Sequence, residues 1–305
     1  MFLLVPYRVD VPLYRRPIAN YVILALLVVV YVLEQSQALF GAVNLADIPG
    51  IAPFVLTGWN PLGLIGHIFL HGGIFHLVGN MIFLWVFGNA VCEKVGNAAY
   101  PFLFVGLGIA GGIAHVLFNS HPAIGASGAI SGIMAMCLVW FPLNETSCFY
   151  FAWLLFYIRY GWFEVSCCWI MLLWLAFDIL GAALGLGGVA YWAHIGGFAA
   201  GFVLAIVMMQ LRWVSMDDTE RTLLDIFGLR TAWRDRVARN ALQAATAGST
   251  AVRYPAPPGH PMPIPQEDTI PIVCSCGKLL KAKREFAGRK GRCPACLAPI
   301  LIPKA

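Results

Sequence analysis

Three short stretches carry side chains that could do chemistry. Gly125-Ala126-Ser127-Gly128 sets a serine hydroxyl at the start of an apolar run. His76-Leu77-Val78-Gly79-Asn80 puts an imidazole and a carboxamide four residues apart. Ala193-His194-Ile195-Gly196-Gly197 puts a second imidazole inside another apolar run. A serine hydroxyl is a weak nucleophile until an adjacent base takes its proton. A neutral imidazole can do that and later protonate a leaving amine. The chemistry implied is acyl transfer, with Ser127 as nucleophile and His194 as base. The carboxamide of Asn80, the imidazole of His76 and the Ser127 backbone N–H supply donors for the oxyanion, helped by the positive end of a helix. A serine at a helix start is also an ordinary cap, and a histidine in an apolar helix also serves as an interhelical hydrogen bond. Those readings explain each residue alone; they do not explain why all four share one depth.

That depth depends on the elements that position them. Of 305 residues, 60% are apolar and 11% charged, against about 25% charged in soluble domains. This composition excludes an ordinary soluble enzyme. A membrane helix needs roughly 20 apolar residues, and six candidates stand out. They run about Ile18–Phe40, Ile74–Val91, Ala99–Phe118, Ser127–Phe141, Val165–Leu184 and Val189–Leu211. The fourth is short, so its neighbours are expected to shield it from lipid. The run Phe149–Ile158 is too short to span and reads as an interfacial or packed hairpin. Residues 17–211 hold only two basic side chains, Lys94 and Arg159. With six helices, every Lys and Arg falls on one side, which predicts both termini in the cytoplasm. No cleavable signal peptide is evident in the run after Arg16. Helices two, four and six then run in one direction. His76 and Asn80 occupy the first two turns of the second helix, and Ser127 opens the fourth. His194 lies about five residues into the sixth, roughly 8 Å at 1.5 Å per residue. Gly128 and Gly132, and Gly197 and Gly201, give two helices small-residue faces that let backbones approach closely. Asp178 lies deep in the fifth helix with no evident partner, so the expectation is a Ser-His dyad.

Together, His76-x-x-x-Asn80, Gly125-x-Ser127-Gly128 and Ala193-His194-x-x-Gly197-x-x-x-Gly201, in that order across six helices, resemble the rhomboid proteases over about residues 17–211. The resemblance implies an all-α polytopic membrane protein with a six-transmembrane-helix bundle. It implies Ser127 and His194 as catalytic, and His76 and Asn80 as oxyanion stabilisers with the Ser127 N–H. It implies hydrolysis of peptide bonds in or near a transmembrane helix of a membrane protein substrate, with no cofactor for catalysis. It also implies a structured, partly embedded loop over residues 41–73, whose His67 and His71 are structural or water-associated. The sequence departs from some relatives in three places. The Trp-Arg pair of the first loop is absent. Cys92 replaces a glutamate near the inner end of the second helix, with Glu93 one position later. Ser131 stands where some members stack an aromatic on the catalytic histidine. His115 has no assigned role, and His121 reads as a loop residue.

Beyond Leu211 the composition changes. Residues 1–16 are read as a cytoplasmic N-terminus, 17–211 as the protease domain, and 212–271 as a helical and then proline-rich linker. Residues 272–305 read as a small cytoplasmic zinc-ribbon-like module. Cys274-x-Cys276 and Cys293-x-x-Cys296 have the spacing of a four-thiolate structural zinc site, and a cytoplasmic location argues against disulfides. The other five cysteines, Cys92, Cys137, Cys148, Cys167 and Cys168, read as small core residues. The basic residues of the module read as a solvated surface, so no nucleic-acid partner is expected. The expected partners are transmembrane protein substrates and the bilayer, with a bacterial plasma membrane as the expected location. A competing reading is a catalytically inactive rhomboid-like protein that binds transmembrane segments. A transporter would be expected to carry midplane charge or paired interrupted helices.

Overall fold

The computed structural model describes residues 2–11, 13–38, 48, 50–154, 157–216, 220–229 and 288, with four short strands between 269 and 301. Two compact units divide the chain, residues 1–243 and 244–305.

Apolar helices build the first unit. They are α1 (Ile18–Ala38), α5 (Tyr100–Phe118), α6 (Ser127–Trp140), α7 (Cys167–Ala183) and α8 (Tyr191–Gln210), with one interrupted helix between α1 and α5. That helix consists of α3 (Ile74–Phe83), a π-helical turn over Leu84–Gly88, and α4 (Asn89–Val95). A short helix, α2 (Pro61–Gly66), precedes it. Among the described residues four stretches are long and apolar enough to cross a membrane: Ile18–Ser36, Ile74–Val95, Tyr100–Phe118 and Tyr191–Gln210. The helices α6 and α7 are shorter. Every residue of α6 from Gly128 to Trp140 is buried, so its neighbours do shield it. By contrast, α1 and α7 turn Val22, Val32, Leu33, Trp169 and Phe177 outward. Such outward apolar surface suits a hydrocarbon surrounding, where helices satisfy their own backbone.

The helix interruption has its own compensation. A π turn releases carbonyls from the regular ladder. The buried Asn20 amide of α1 donates to Leu84 O at 3.0 Å and to Asn89 Oδ1 at 2.8 Å, and it accepts from the Tyr100 hydroxyl at 2.8 Å. One carboxamide thus ties α1, the π turn and α5 together in a satisfied buried network.

The expectation of an all-α protein needs correction. A three-stranded antiparallel sheet joins β1 (Phe2–Val9), β2 (Glu145–Leu154) and β3 (Tyr157–Ser166) in that order. The expected hairpin after α6 is therefore a β-hairpin, and the N-terminal segment adds a third strand to it. The physical reason is composition. The hairpin is rich in Tyr, Phe and Trp, which favour a pleated half-buried surface. Between Pro6 and Arg8 the register slips, leaving Tyr7 as the extra residue. The proline has no N–H to give the ladder there.

After α8, Val214, Met216 and Leu224 return to the core of the first unit. The Glu220 carboxylate meets Lys94 Nζ at 3.0 Å, both side chains being buried. Thr222 and Asp225 form a capping box on α9 (Leu223–Ile226). In the second unit, β4 (Thr269–Val273) pairs with β5 (Leu279–Lys283), and β6 (Lys290–Arg292) pairs with β7 (Pro299–Leu301), both antiparallel. Cys274, Cys276, Cys293 and Cys296 lie outside the described residues. The other five cysteines are free thiols, four of them buried and Cys168 partly so.

Candidate active site

The site grows from a set of close backbone approaches. A Cβ at Gly128 would lie 3.3 Å from Ala193 O, and one at Gly111 would lie 2.6 Å from the same oxygen. A Cβ at Gly132 would lie 2.8 Å from Gly197 O, and one at Gly197 or Gly201 would collide with the carbonyls of Gly128 or Gly132. The small-residue faces read from the sequence therefore meet, with α5, α6 and α8 converging where any side chain would hold them apart. That approach is what lets a serine on α6 reach a histidine on α8.

Ser127 is the first residue of α6, and His194 is the fourth residue of α8. Ser127 Oγ and His194 Nε2 are 2.8 Å apart. The other ring nitrogen, Nδ1, lies 2.8 Å from Asp178 Oδ1 on α7. Asp178, which has no evident partner in the sequence, thus has one, and the histidine of the expected dyad has a carboxylate against it. A Cβ at Gly181 would enter the Tyr191 ring, so α7 and α8 also approach closely beside Asp178. The missed signal was available. Asp178 lies five residues before the end of α7 and His194 three residues after the start of α8, which share a short connection. The depth reasoning that grouped the other residues also applies to this pair.

His76 and Asn80 line the same cavity as Ser127, Asp178 and His194, a space of about 1570 Å³. The ring of His76 packs on Gly125. A Cβ there would lie 2.8 Å from His76 Cε1 and Nε2, and φ of +123° is one that glycine tolerates best. The Asn80 side chain is buried, and its Nδ2 has no hydrogen-bond partner among the described residues. A buried amide donor left unspent in the cavity that holds the nucleophile is costly unless a reacting group claims it.

The loop before α6 is held from below. Gly125 N–H donates to His67 O at 2.8 Å, and Leu56 and Ala123 form an antiparallel bridge. His67 Nδ1 donates to Gly63 O at 2.8 Å. Burial, with His115 nearby, lowers the His67 pKa to about 4. Burial and neighbouring His76 do the same to His71, also to about 4. Both rings are therefore neutral near pH 7, which suits supporting roles. The His71 backbone N–H donates to Glu34 Oε2 of α1 at 3.2 Å. His115 Nε2 donates to the His121 carbonyl at 2.8 Å, which anchors the far side of the same loop. Ser131, one turn below Ser127, is buried, and its hydroxyl has no hydrogen-bond partner among the described residues.

These observations define a class: an integral membrane protein of apolar helices with serine, histidine and aspartate hydrogen-bonded in series at one end of the bundle. The sequence matches the rhomboid domain over residues 58–211, and the chain belongs to the rhomboid family. It is 40% identical over 75 residues to the rhomboid protease GluP of Bacillus subtilis, covering 25% of this chain and 15% of that protein. It is 33% identical over 156 residues to RHOMBOID-like protein 4 of Arabidopsis thaliana, covering 50% and 34%. It is 28% identical over 152 residues to the mitochondrial rhomboid protein 1 of Saccharomyces cerevisiae, covering 46% and 40%. The chain thus spans well under two thirds of the length of these relatives.

Proposed function

We propose that the protein is an intramembrane serine endopeptidase that hydrolyses peptide bonds in or near transmembrane helices of membrane protein substrates. The observation that carries this reading is the 2.8 Å contact of Ser127 Oγ with His194 Nε2 in a cavity among apolar helices. His194 takes the hydroxyl proton as Oγ attacks the scissile carbonyl. The oxyanion is met by the Asn80 amide, the His76 ring and the Ser127 N–H, at the positive end of α6. His194 then gives the proton to the departing amide nitrogen. Water attacks the acyl-serine ester with His194 again as base, and Ser127 is restored.

The six helices are proposed as six spans, with both termini on the side that carries the basic residues, in a bacterial plasma membrane. The test is cleavage by the purified protein in liposomes of a single-span substrate with small, helix-weakening residues near one membrane boundary. A fluorophosphonate probe is run alongside. Cleavage that disappears in Ser127→Ala, with the probe on Ser127, supports the reading. A folded wild type that neither cleaves nor labels would favour the inactive helix-binding alternative.

Cys274, Cys276, Cys293 and Cys296 are proposed to hold a structural zinc ion. Each cysteine pair falls in the sequence between two paired strands, Cys274 and Cys276 between β4 and β5, Cys293 and Cys296 between β6 and β7. Four thiolates in two close pairs of this spacing suit tetrahedral zinc. The expected result is one zinc per wild-type chain by elemental analysis, lowered in Cys293→Ser with cleavage retained. A metal-free wild type would refute the site.

A further inference from the structure

We infer that Asp178 completes a Ser127–His194–Asp178 triad, in which its carboxylate fixes the imidazole in the one tautomer that can act as base. The inference rests on the protease reading above and deepens it. Its observation is the 2.8 Å contact of Asp178 Oδ1 with His194 Nδ1, on the ring nitrogen opposite the one that meets Ser127.

The donor and acceptor inventory decides the roles. A carboxylate only accepts hydrogen bonds, and a neutral imidazole carries one N–H. With Asp178 ionised, the proton sits on Nδ1 and donates to Oδ1. Nε2 then presents a lone pair, and the Ser127 hydroxyl donates to it. Proton transfer during attack runs from Oγ to Nε2, and the imidazolium so formed lies against the carboxylate. With the opposite tautomer, Nε2 would carry the hydrogen and donate to Oγ. The ring could not then accept the serine proton.

Position is constrained too. Asp178 and His194 are both nearly buried, at 5% and 6% exposure, so little water competes for Nδ1. Among the described residues the Ser131 hydroxyl makes no hydrogen bond, so the ring is held through Ser127 on one nitrogen and Asp178 on the other. The steric contact of Gly181 with Tyr191 keeps α7 against α8 one turn from Asp178. A charged group in an apolar bundle is expensive and is usually paired and functional. Here the partner is the base itself. Asp178 acts through His194, so it is a positioning residue rather than one that touches substrate.

The test compares wild type with Asp178→Asn, using the full chain in liposomes, and reads both kcat and KM. The asparagine keeps the size and one hydrogen bond, but its amide can donate to Nδ1 and so favours the unproductive tautomer. The expected loss is about 10⁴-fold in kcat with KM unchanged, the size seen when this carboxylate becomes an amide in a soluble Ser-His-Asp protease. A role limited to filling space or holding the ring would leave the asparagine variant near the wild-type kcat. Nitrogen NMR of imidazole-labelled wild-type protein, with the His194 signal identified by its loss in His194→Gln, reads the tautomer without touching Asp178. It therefore stands even if the asparagine variant does not fold. The expected state is Nδ1–H with Nε2 bare. Asp178→Asn retaining kcat within about threefold, or an Nε2–H tautomer at His194, would overturn the triad and leave the protease reading intact. A wild type that neither cleaves nor labels with fluorophosphonate would remove the protease reading, and the triad with it.

Discussion

Replacing His194 with alanine is expected to lower kcat for peptide-bond cleavage by about 10⁶-fold, as much as Ser127→Ala does, and the double variant is expected to lose little more. The reason is that Oγ and Nε2, 2.8 Å apart, act as one unit. Without the imidazole, the hydroxyl keeps its proton, and no other described base lies within hydrogen-bond reach of Oγ. Without the hydroxyl, the imidazole has nothing to activate. Removing either therefore removes the same step. Any residual rate above that in water would come from substrate positioning and the oxyanion donors, which neither change touches. His194→Ala should still be extracted and purified as a folded protein, since the close contacts of α8 lie at its glycines. Single-turnover cleavage of a fluorogenic single-span peptide would measure the effect. A His194→Ala variant with a tenth of the wild-type rate would mean that another group takes the proton and that the assignment of the base is wrong.

Much of this site is legible in the sequence because membrane geometry turns chain position into depth. Ser127, His76, Asn80 and His194 lie near the starts of helices that run in one direction, so counting residues from each boundary brings them together. The glycine pairs at 128 and 132, and at 197 and 201, announce which helices touch. What the sequence does not disclose are pairings set by tertiary register. The strand β1 finds its partner β2 about 140 residues away, and nothing in its alternation names that partner. The π turn at Leu84–Gly88 leaves an apolar helical run looking uninterrupted, and its mark is the long-range Asn20 amide on Leu84 O, a tertiary contact. Asp178 was visible as a deep carboxylate. Its role was hidden because α7 runs opposite to the other site helices, so its matching depth is counted from its end rather than its start.

The fold and the chemistry are joined most tightly at Gly197. Gly197→Ala is expected to lower both thermal stability and kcat, the latter by about 10²-fold or more. A Cβ at Gly197 collides with the Gly128 carbonyl oxygen and lies 2.8 Å from Gly128 C. These are backbone atoms, so no side chain can rotate away, and α6 and α8 must separate. Ordinary carbon contacts sit near 3.5–4.0 Å, so the separation needed is on the order of 1 Å. Overpacking of this kind costs about 1–3 kcal/mol, and a rigid obstacle sets the cost toward the upper end. The same shift carries His194 on α8 away from Ser127 on α6. A misplacement of about 1 Å costs about 10²-fold in rate. Gly106→Ala in α5 is the matched control, because a Cβ there meets nothing within 4 Å. It should leave cleavage unchanged and leave stability unchanged or slightly raised, since alanine favours a helix over glycine. Thermal unfolding in detergent and cleavage in liposomes, measured on both variants, separate the two effects. If Gly197→Ala kept wild-type stability and rate, the two helices would not cross at these glycines, and the placement of Ser127 beside His194 would need another cause.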